Sequence, residues 1–593
     1  MILSFSSFRA EAGVIYSGVA AGDVTTNSAI LWTRTADTIP SQGIVSNLTA
    51  QLSSDPFFST INQSFSGATN SSHDYTLKIN AVGLNSGTEY YYRFLTNQNE
   101  ISPVGRFKTA PEAAVQAPVR FGFSGDADGK WRPYGSTANF NNLNLDYFVF
   151  LGDTIYESAS TGSPATTSLS NPTQPKIDQA LLDYYRKYRE NLEPVATGSF
   201  SSLENLFTSQ GNYTLLDNHE LGNQQLINGG APAANALGLG VDPVNPANDV
   251  NSTGKYINQT SAFKALVQAY SDYQPIQEKI LSAPGDARSN GTQQLFFAQQ
   301  WGANSIFINV DDRSYRDIRL KTALGADDTG SRADNPNRTL LGSTQLAWLK
   351  QTLLAAQNQG TPWKIIAISS PIDEGGEDSG KSWIGGYRAE RNDLLKFIAD
   401  NHINNVLFLS TDDHQNRINE LTYFTNPNDP STRTIVPNTF TIVAGPLGAG
   451  GPDGITDHSF SNIQSLANAV VTKQLAQGFN PLGLGSGFLG LSQVYREGDP
   501  TASSSPKPVD FFTPDTFNYV TLDISADGKN LSVNTYGINS YAANTFPQPQ
   551  SSNAVRRVLG FQLTASVIPE SSPTVGILMV GLFGILGIFK RNG

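Results

Sequence analysis

Four short segments each run an apolar stretch into side chains that carry oxygen or nitrogen. FGFSGDADG delivers Asp126, FVFLGDTIY delivers Asp153 and Tyr156, YTLLDNHE delivers Asn218 and His219, and LFLSTDDH delivers Asp412 and His414. Each apolar run is short and shows no alternation, as a strand buried on both faces does. A glycine before Asp126 and Asp153 lets the chain turn sharply, so the carboxylate emerges at the strand's carboxyl edge, where open α/β sheets bind ligands. Singly, each segment reads as an ordinary turn or helix cap. Together they place two of the chain's five histidines at strand ends beside three aspartates. Carboxylates and an amide oxygen suit hard cations, and imidazole adds affinity for transition metals. Such a set predicts two cations about 3.5 to 4 Å apart, bridged by Asp153. A phenol ligates poorly while protonated, and a tyrosinate at neutral pH requires a strong Lewis acid. Tyr156 therefore points to trivalent iron.

The bulk of the chain limits the other possibilities. A net charge of -12 with no basic stripe argues against nucleic-acid binding. It also repels anionic substrates unless bound cations reverse the local field. The chain has no cysteine, which excludes disulfides, zinc-thiolate sites, iron-sulfur clusters and thiol nucleophiles together. Charged residues make up only 15%, and Asn, Ser, Thr and Gly take their place, a composition that suits an exported protein.

The elements that must position these side chains follow from the hydrophobic pattern. At 593 residues, two or more domains are expected. Residues 14–110 read as all-β (SAILWTRT, DYTLKINAVGL, TEYYYRFLT), a small sandwich of the immunoglobulin or fibronectin type. The segment 109–118 is a Pro/Ala linker. Over 118–565 apolar strands alternate with helical stretches such as KIDQALLDYYRKYRENL, SAFKALVQAYSDY, TQLAWLKQTLLAAQ and ERNDLLKFIADN, which predicts a layered α/β domain. Residues 158–175 and 222–252 read as surface insertions, and from about 433 the chain returns to β-structure. GAGGPDG lacks the Gly-Lys-Ser/Thr of a phosphate loop and reads as a turn. The acidic loop DEGGEDSG, 373–380, reads as solvated, with calcium binding the alternative.

Both ends carry export-like features. Ala10-Glu11-Ala12 is like a signal-peptidase site, the alternative being an ordinary disordered end. The last 25 residues, 569–593, hold an unbroken apolar run from Val575 to Phe589 closed by Lys590 and Arg591. That order resembles the PEP-CTERM sorting tail of exported bacterial proteins, with Pro569-Glu570-Ser571 in place of Pro-Glu-Pro; the alternative is a buried terminal helix.

The strand-end segments resemble the metal motifs of the calcineurin-type metallophosphoesterases, and GDTIY resembles those of purple acid phosphatases and of the alkaline phosphatase D family. GVAAGDVTTNSAILWTRT, SPVGRFKTAP, DDRSYR, LGSTQLAWL and SWIGGYRAERNDLLKFI resemble the latter family. The resemblance implies a β-sandwich followed by a metallophosphoesterase αββα sandwich. It makes Asp126, Asp153, Tyr156 and His414 ligands of a ferric ion, and Asp153, Asn218 and Asp412 ligands of a divalent ion, calcium by analogy. His219 would lie beside the phosphate as hydrogen-bond donor or general acid. Arg313 would contact phosphate or form a surface ion pair. Two positions depart from the pattern: the family often has cysteine where Asp126 stands, and related enzymes have histidine where this chain has Ser369 and Ser370. The implied activity is metal-dependent hydrolysis of phosphate mono- or diesters by a metal-activated hydroxide, in an exported, monomeric protein that meets a membrane only through its tail. The rival expectation is an exported surface binding or structural protein that keeps the fold and has lost a metal.

Overall fold

The computed structural model describes residues 13–567 apart from 38–41, 158–168, 170–172, 193–202, 223–255, 321, 323–325, 377–378, 427–428, 452–455, 477, 479–481, 500, 503–504 and 546–553. The signal-like segment, the sorting-like tail and most of both insertions lie outside these residues. Among the described residues no helix is long and apolar enough to cross a membrane.

The N-terminal part is a β-sandwich. Strands Gln63–Ala68, Asn47–Ser53, Glu89–Thr96 and Gly105–Lys108 form one sheet, and Ile15–Gly22, Ser28–Ala36 and Thr76–Val82 face it. Alternation explains the packing: EYYYRFLT buries Tyr90, Tyr92 and Phe94 against Leu31, Leu48 and Phe107, with the intervening side chains turned outward. The second sheet does not stop at the sandwich. Ile15–Gly22 pairs in parallel with Gly211–Thr214, which pairs in parallel with Tyr147–Phe150, so the sandwich and the α/β part share one ten-stranded sheet.

In that sheet Val119–Ser124, Tyr147–Phe150 and Gly211–Thr214 run parallel side by side. A seven-stranded sheet packs on it, with Ser305–Asn309, Trp363–Ala367 and Val406–Ser410 parallel at its centre. The sheets meet through Phe121, Phe123, Val149 and Tyr213 on one side and Phe307, Ile365, Leu407 and Leu409 on the other. Because strand side chains alternate, Phe148 and Phe150 face the other way, against Tyr184 and Tyr188 of helix Gln174–Leu192 and Leu266 and Tyr270 of helix Ser261–Tyr273. Helices Ser343–Asn358 and Arg388–Asp400 cover the second sheet through Leu349, Leu353, Leu394 and Leu395. Both faces of both sheets are thus buried, and this αββα sandwich explains the unbroken apolar runs.

Two expectations are corrected. The stretch read as β after 433 contains the helix Phe460–Ala476, whose Ile463, Leu466, Ala467 and Val470 follow helical spacing and pack on Leu482, Val509 and Phe512. The acidic loop is not solvated at its start. Asp373 is buried and accepts from Arg417 Nε at 2.8 Å and Nη2 at 2.9 Å, and Glu374 accepts from Arg391 Nη2 at 2.9 Å. These guanidinium partners leave neither carboxylate for calcium.

Trp32 ties the sandwich to the helical layer. It is buried, its indole N–H donates to the carbonyl of Asp272 at 2.7 Å, and its ring lies 5.9 Å from that of Tyr273. Trp32→Ala is expected to lower stability by about 3 to 5 kcal/mol. Because one sheet runs through both parts, thermal unfolding should remain a single transition, which calorimetry checks.

Candidate metal centre

The carboxyl ends of three adjacent parallel strands of one sheet, and of Val406–Ser410 in the other, meet at one edge of the sandwich. The turns there are conformationally unusual. Asp126, Asp153, Asp412 and His414 have φ of 61°, 53°, 71° and 53°, the left-handed region that Asp and His enter more readily than most residues. Residues held this way cluster at functional sites because the surrounding fold must hold them. Here the turns lock to one another: Asp126 N–H donates to Gly152 C=O at 3.1 Å, and Ala127 N–H to Asp153 C=O at 2.9 Å. Gly152, at φ 107°, is needed on space as well, since a Cβ would sit 2.5 Å from the Asp217 Cβ.

The turns bring Asp126, Asp153 and His414 together with one ligand atom each, all within 4.8 Å of one another, and do the same for Asp153, Asp217 and Asp412. Asp153 belongs to both groups. His414 Nδ1 lies 2.6 Å from the Gly450 carbonyl, which can only accept, so the ring carries its proton there. In the neutral ring Nε2 then faces the cluster as a lone pair, 3.7 Å from Asp126 Oδ1 and 3.0 Å from the Tyr156 hydroxyl, which donates to it in that form. Asn218 stands beside the second group, its Oδ1 3.5 Å from Arg313 Nη2. His219 N–H donates to Asp153 Oδ1 at 2.9 Å, and its ring lies tilted by 31° against that of Tyr156 with centroids 3.9 Å apart.

Crowded, buried acids resist ionising together. Burial, then Glu220, Asp126 and Asp412, push the Asp153 carboxyl well above the usual carboxylate range. Burial pushes Asp126 up to about 6 against the pull of His414 and Thr411. Asp412 goes the other way: burial opposes its charge, but Lys381, Arg313 and His414 hold it below the ordinary value. Burial, then Asp153 and Asp126, drive the Tyr156 phenol well above its ordinary value, so the tyrosinate form requires a cation. The donor set fits hard cations. Asp126 Oδ1 and Asp217 Oδ2 are buried oxygens without a hydrogen-bond partner, one in each group.

Arg313 is not a surface ion pair. Its side chain is fully shielded, and Nη2 pairs with Asp217 and, at 3.0 Å, with Asp412 Oδ2. The guanidinium thus supplies positive charge to the second group. The Ser369 hydroxyl is engaged elsewhere, donating to Asp312 Oδ1 at 2.6 Å, while the Ser370 N–H donates to Asp312 Oδ2 at 3.1 Å and its hydroxyl is buried without a partner. Sequence reasoning missed Asp217, Glu220, Glu157, Thr411 and Lys381. Thr411 donates to Asp126 Oδ2, and Lys381 Nζ lies 3.8 Å from Asp412 Oδ1. Asp217 and Glu220 flank the selected residues in DNHE and Glu157 follows Tyr156, so adjacency was the available signal.

An αββα sandwich whose parallel strands end in such a cluster defines the metallophosphoesterase fold class. Residues 121–481 match the family model of the PhoD-like phosphatase and residues 3–111 that of the PhoD-like phosphatase N-terminal domain, and the chain belongs to this family. Alkaline phosphatase D of Bacillus subtilis (strain 168) is 28% identical over 416 residues, covering 67% of this chain and 64% of that relative, so the match spans slightly less than two thirds of the relative's length. A solved structure of PhoD superposes with a TM-score of 0.64 at 21% identity, over 93% of this chain and 90% of that one.

A cation at the second group must share Asp217 and Asp412 with Arg313. Two unit charges about 4 Å apart interact by about 4 kcal/mol at an effective dielectric of 20. Arg313→Met should therefore tighten divalent-ion binding at least tenfold, read by calorimetry. Unchanged or weaker binding would show that the guanidinium does not compete with the ion.

Proposed function

We propose that this chain is a metal-dependent phosphoester hydrolase acting on phosphate mono- or diesters. One observation carries the reading: Asp153 is common to two ligand groups that four separate strand ends bring together. Tyr156, Asp126, Asp153 and His414 would hold a ferric ion, and Asp153, Asn218 and Asp412, joined by Asp217, a divalent ion, calcium or another. Bound there, such ions supply an activated water and positive charge against the phosphoryl oxygens. The chain's own residues do the rest. Arg313 and Lys381 add cationic charge at the second group, which offsets the repulsion between an acidic protein and an anionic ester. His219, whose backbone N–H is held by Asp153, would lie beside the phosphate as hydrogen-bond donor or general acid. The phosphatase name of the family supports the ester as substrate.

Asp153→Asn is expected to abolish turnover, since an amide cannot bridge two cations well; retention of more than about a tenth of wild-type kcat would count against this centre. The same preparations test the iron. Wild type should be visibly coloured by a ferric phenolate band that Tyr156→Phe bleaches, and a colourless, fully active protein would reject iron. Parallel assays on an aryl phosphate and a bis-aryl phosphate choose between monoester and diester.

The export-like ends support a place in the cell envelope or outside the cell, with residues 569–593 as a sorting segment. Deleting them should release active enzyme into the medium. An unfolded product would instead make the segment part of the core.

A further inference from the structure

Asp412 meets a cation at each of its oxygens. Arg313 Nη2 lies 3.0 Å from Oδ2, and Lys381 Nζ lies 3.8 Å from Oδ1. The two cations differ in reach. The Arg313 side chain is fully shielded, which keeps it from direct contact with an ester, whereas the Lys381 side chain keeps 13% of its surface exposed beside an Asp412 that keeps 12%. The lysine is also firmly placed. Leu320 N–H donates to the Gly380 carbonyl at 3.0 Å, and a Cβ on Gly380 would lie 2.1 Å from Leu320 O, so the chain is pinned just before Lys381. Arg316 Nη1 donates to the Lys381 carbonyl at 3.4 Å. Just after it, the Ser382 hydroxyl donates to Ser379 C=O at 3.0 Å and accepts from Gly385 N–H at 3.0 Å, which starts helix Trp383–Gly386 on the buried Trp383. A lysine on an open surface sweeps a wide volume, but this one springs from a clamped backbone and ends beside the second ligand group.

We propose that Lys381 is a specificity-determining residue that favours phosphate monoesters over diesters at this centre by meeting the second negative charge of the monoester. The inference rests on the phosphoester-hydrolase reading and deepens it by choosing the ester class. An ammonium is a compact point charge without the planar fork of a guanidinium, so it discriminates by charge more than by shape. Above about pH 7 a phosphate monoester carries close to two negative charges, since its second proton leaves near pH 6, while a diester carries one. Coulomb energy scales with the charge on the ligand, so the factor that Lys381 contributes for a diester is roughly squared for a monoester.

That relation between two losses is the readout a merely structural role would not produce. Wild type, Lys381→Met and Lys381→Arg are to be loaded with metal and assayed on phenyl phosphate and diphenyl phosphate at about pH 8, where the monoester is doubly charged. Bound metal is measured in each, and binding of inorganic phosphate is followed by calorimetry. Wild type should have the higher kcat/KM on phenyl phosphate. In Lys381→Met, kcat/KM should fall about tenfold on diphenyl phosphate and about a hundredfold on phenyl phosphate, and inorganic phosphate should bind about a hundredfold more weakly, with metal content unchanged. Lys381→Arg keeps the charge and should stay within about threefold of wild type on both esters. A wild type faster on the diester, equal losses on both esters, no loss on either, unchanged phosphate binding, loss of metal, or a Lys381→Arg as impaired as Lys381→Met would each overturn the proposal while leaving the hydrolase reading intact. A metal-loaded wild type that cleaves neither ester would overturn both.

Discussion

Glu220 accepts hydrogen bonds from the backbone N–H groups of Asp153 at 2.9 Å, Thr154 at 2.5 Å and Asp217 at 2.7 Å, and from the Thr154 hydroxyl at 2.7 Å. The residue is fully buried. This carboxylate ties the turn that carries Asp153 and Tyr156 to the turn that carries Asp217, Asn218 and His219. A buried N–H left without an acceptor costs roughly 1 to 3 kcal/mol, so the two turns are stable in this form only with the acid between them. The left-handed backbone at Asp153 and the close approach of Gly152 to Asp217 follow from that tie. The remaining turns then lock on through the Asp126 and Ala127 backbone bonds and the Thr411 hydroxyl.

Holding the turns together has an electrostatic consequence. The fold forces Asp126, Asp153, Asp217 and Asp412 into one buried place, where burial and mutual repulsion raise the first three while Lys381, Arg313 and His414 hold Asp412 below its ordinary value. Internal cations meet part of the demand. Asp126 Oδ1 and Asp217 Oδ2 remain without donors, and that residual demand is what external cations would meet. The same field keeps Tyr156 protonated until a strong Lewis acid arrives, which makes the phenol a selective ligand instead of a general one. With such cations bound, an acidic chain would gain a site able to attract phosphate.

Much of this was legible in the sequence because the signals are local. Runs such as FVFLGD and LFLSTDD name buried strands and the acids that leave them, and four helices lie within a few residues of their expected positions. What was not legible depends on partners far along the chain. Arg313 reads as a phosphate contact or a surface ion pair until the fold sets it against Asp217 and Asp412, about a hundred residues away in either direction. Asp373 and Glu374 read as a solvated loop until Arg417, Asn419, Arg391 and Thr422 close over them. The parallel pairing of Ala21 with Gly211 makes the sandwich part of the larger sheet, and no local pattern announces it. Glu157 and Glu220 sit next to candidate ligands, and only side-chain direction separates a ligand from a brace. The helix Phe460–Ala476 was within reach of its own periodicity and was obscured by the strands on both sides of it.

The central claim is that two cations sharing Asp153 turn this carboxylate cluster into a phosphoester-cleaving centre. It is tested most directly by stripping the purified chain with a chelator and restoring iron and a divalent ion stepwise, with bound metal and hydrolysis of an aryl phosphate followed in the same samples. The account predicts no turnover without metal and activity that rises to a plateau at two ions per chain. Hydrolysis that persists in the stripped protein, or two bound ions with no hydrolysis, would contradict it.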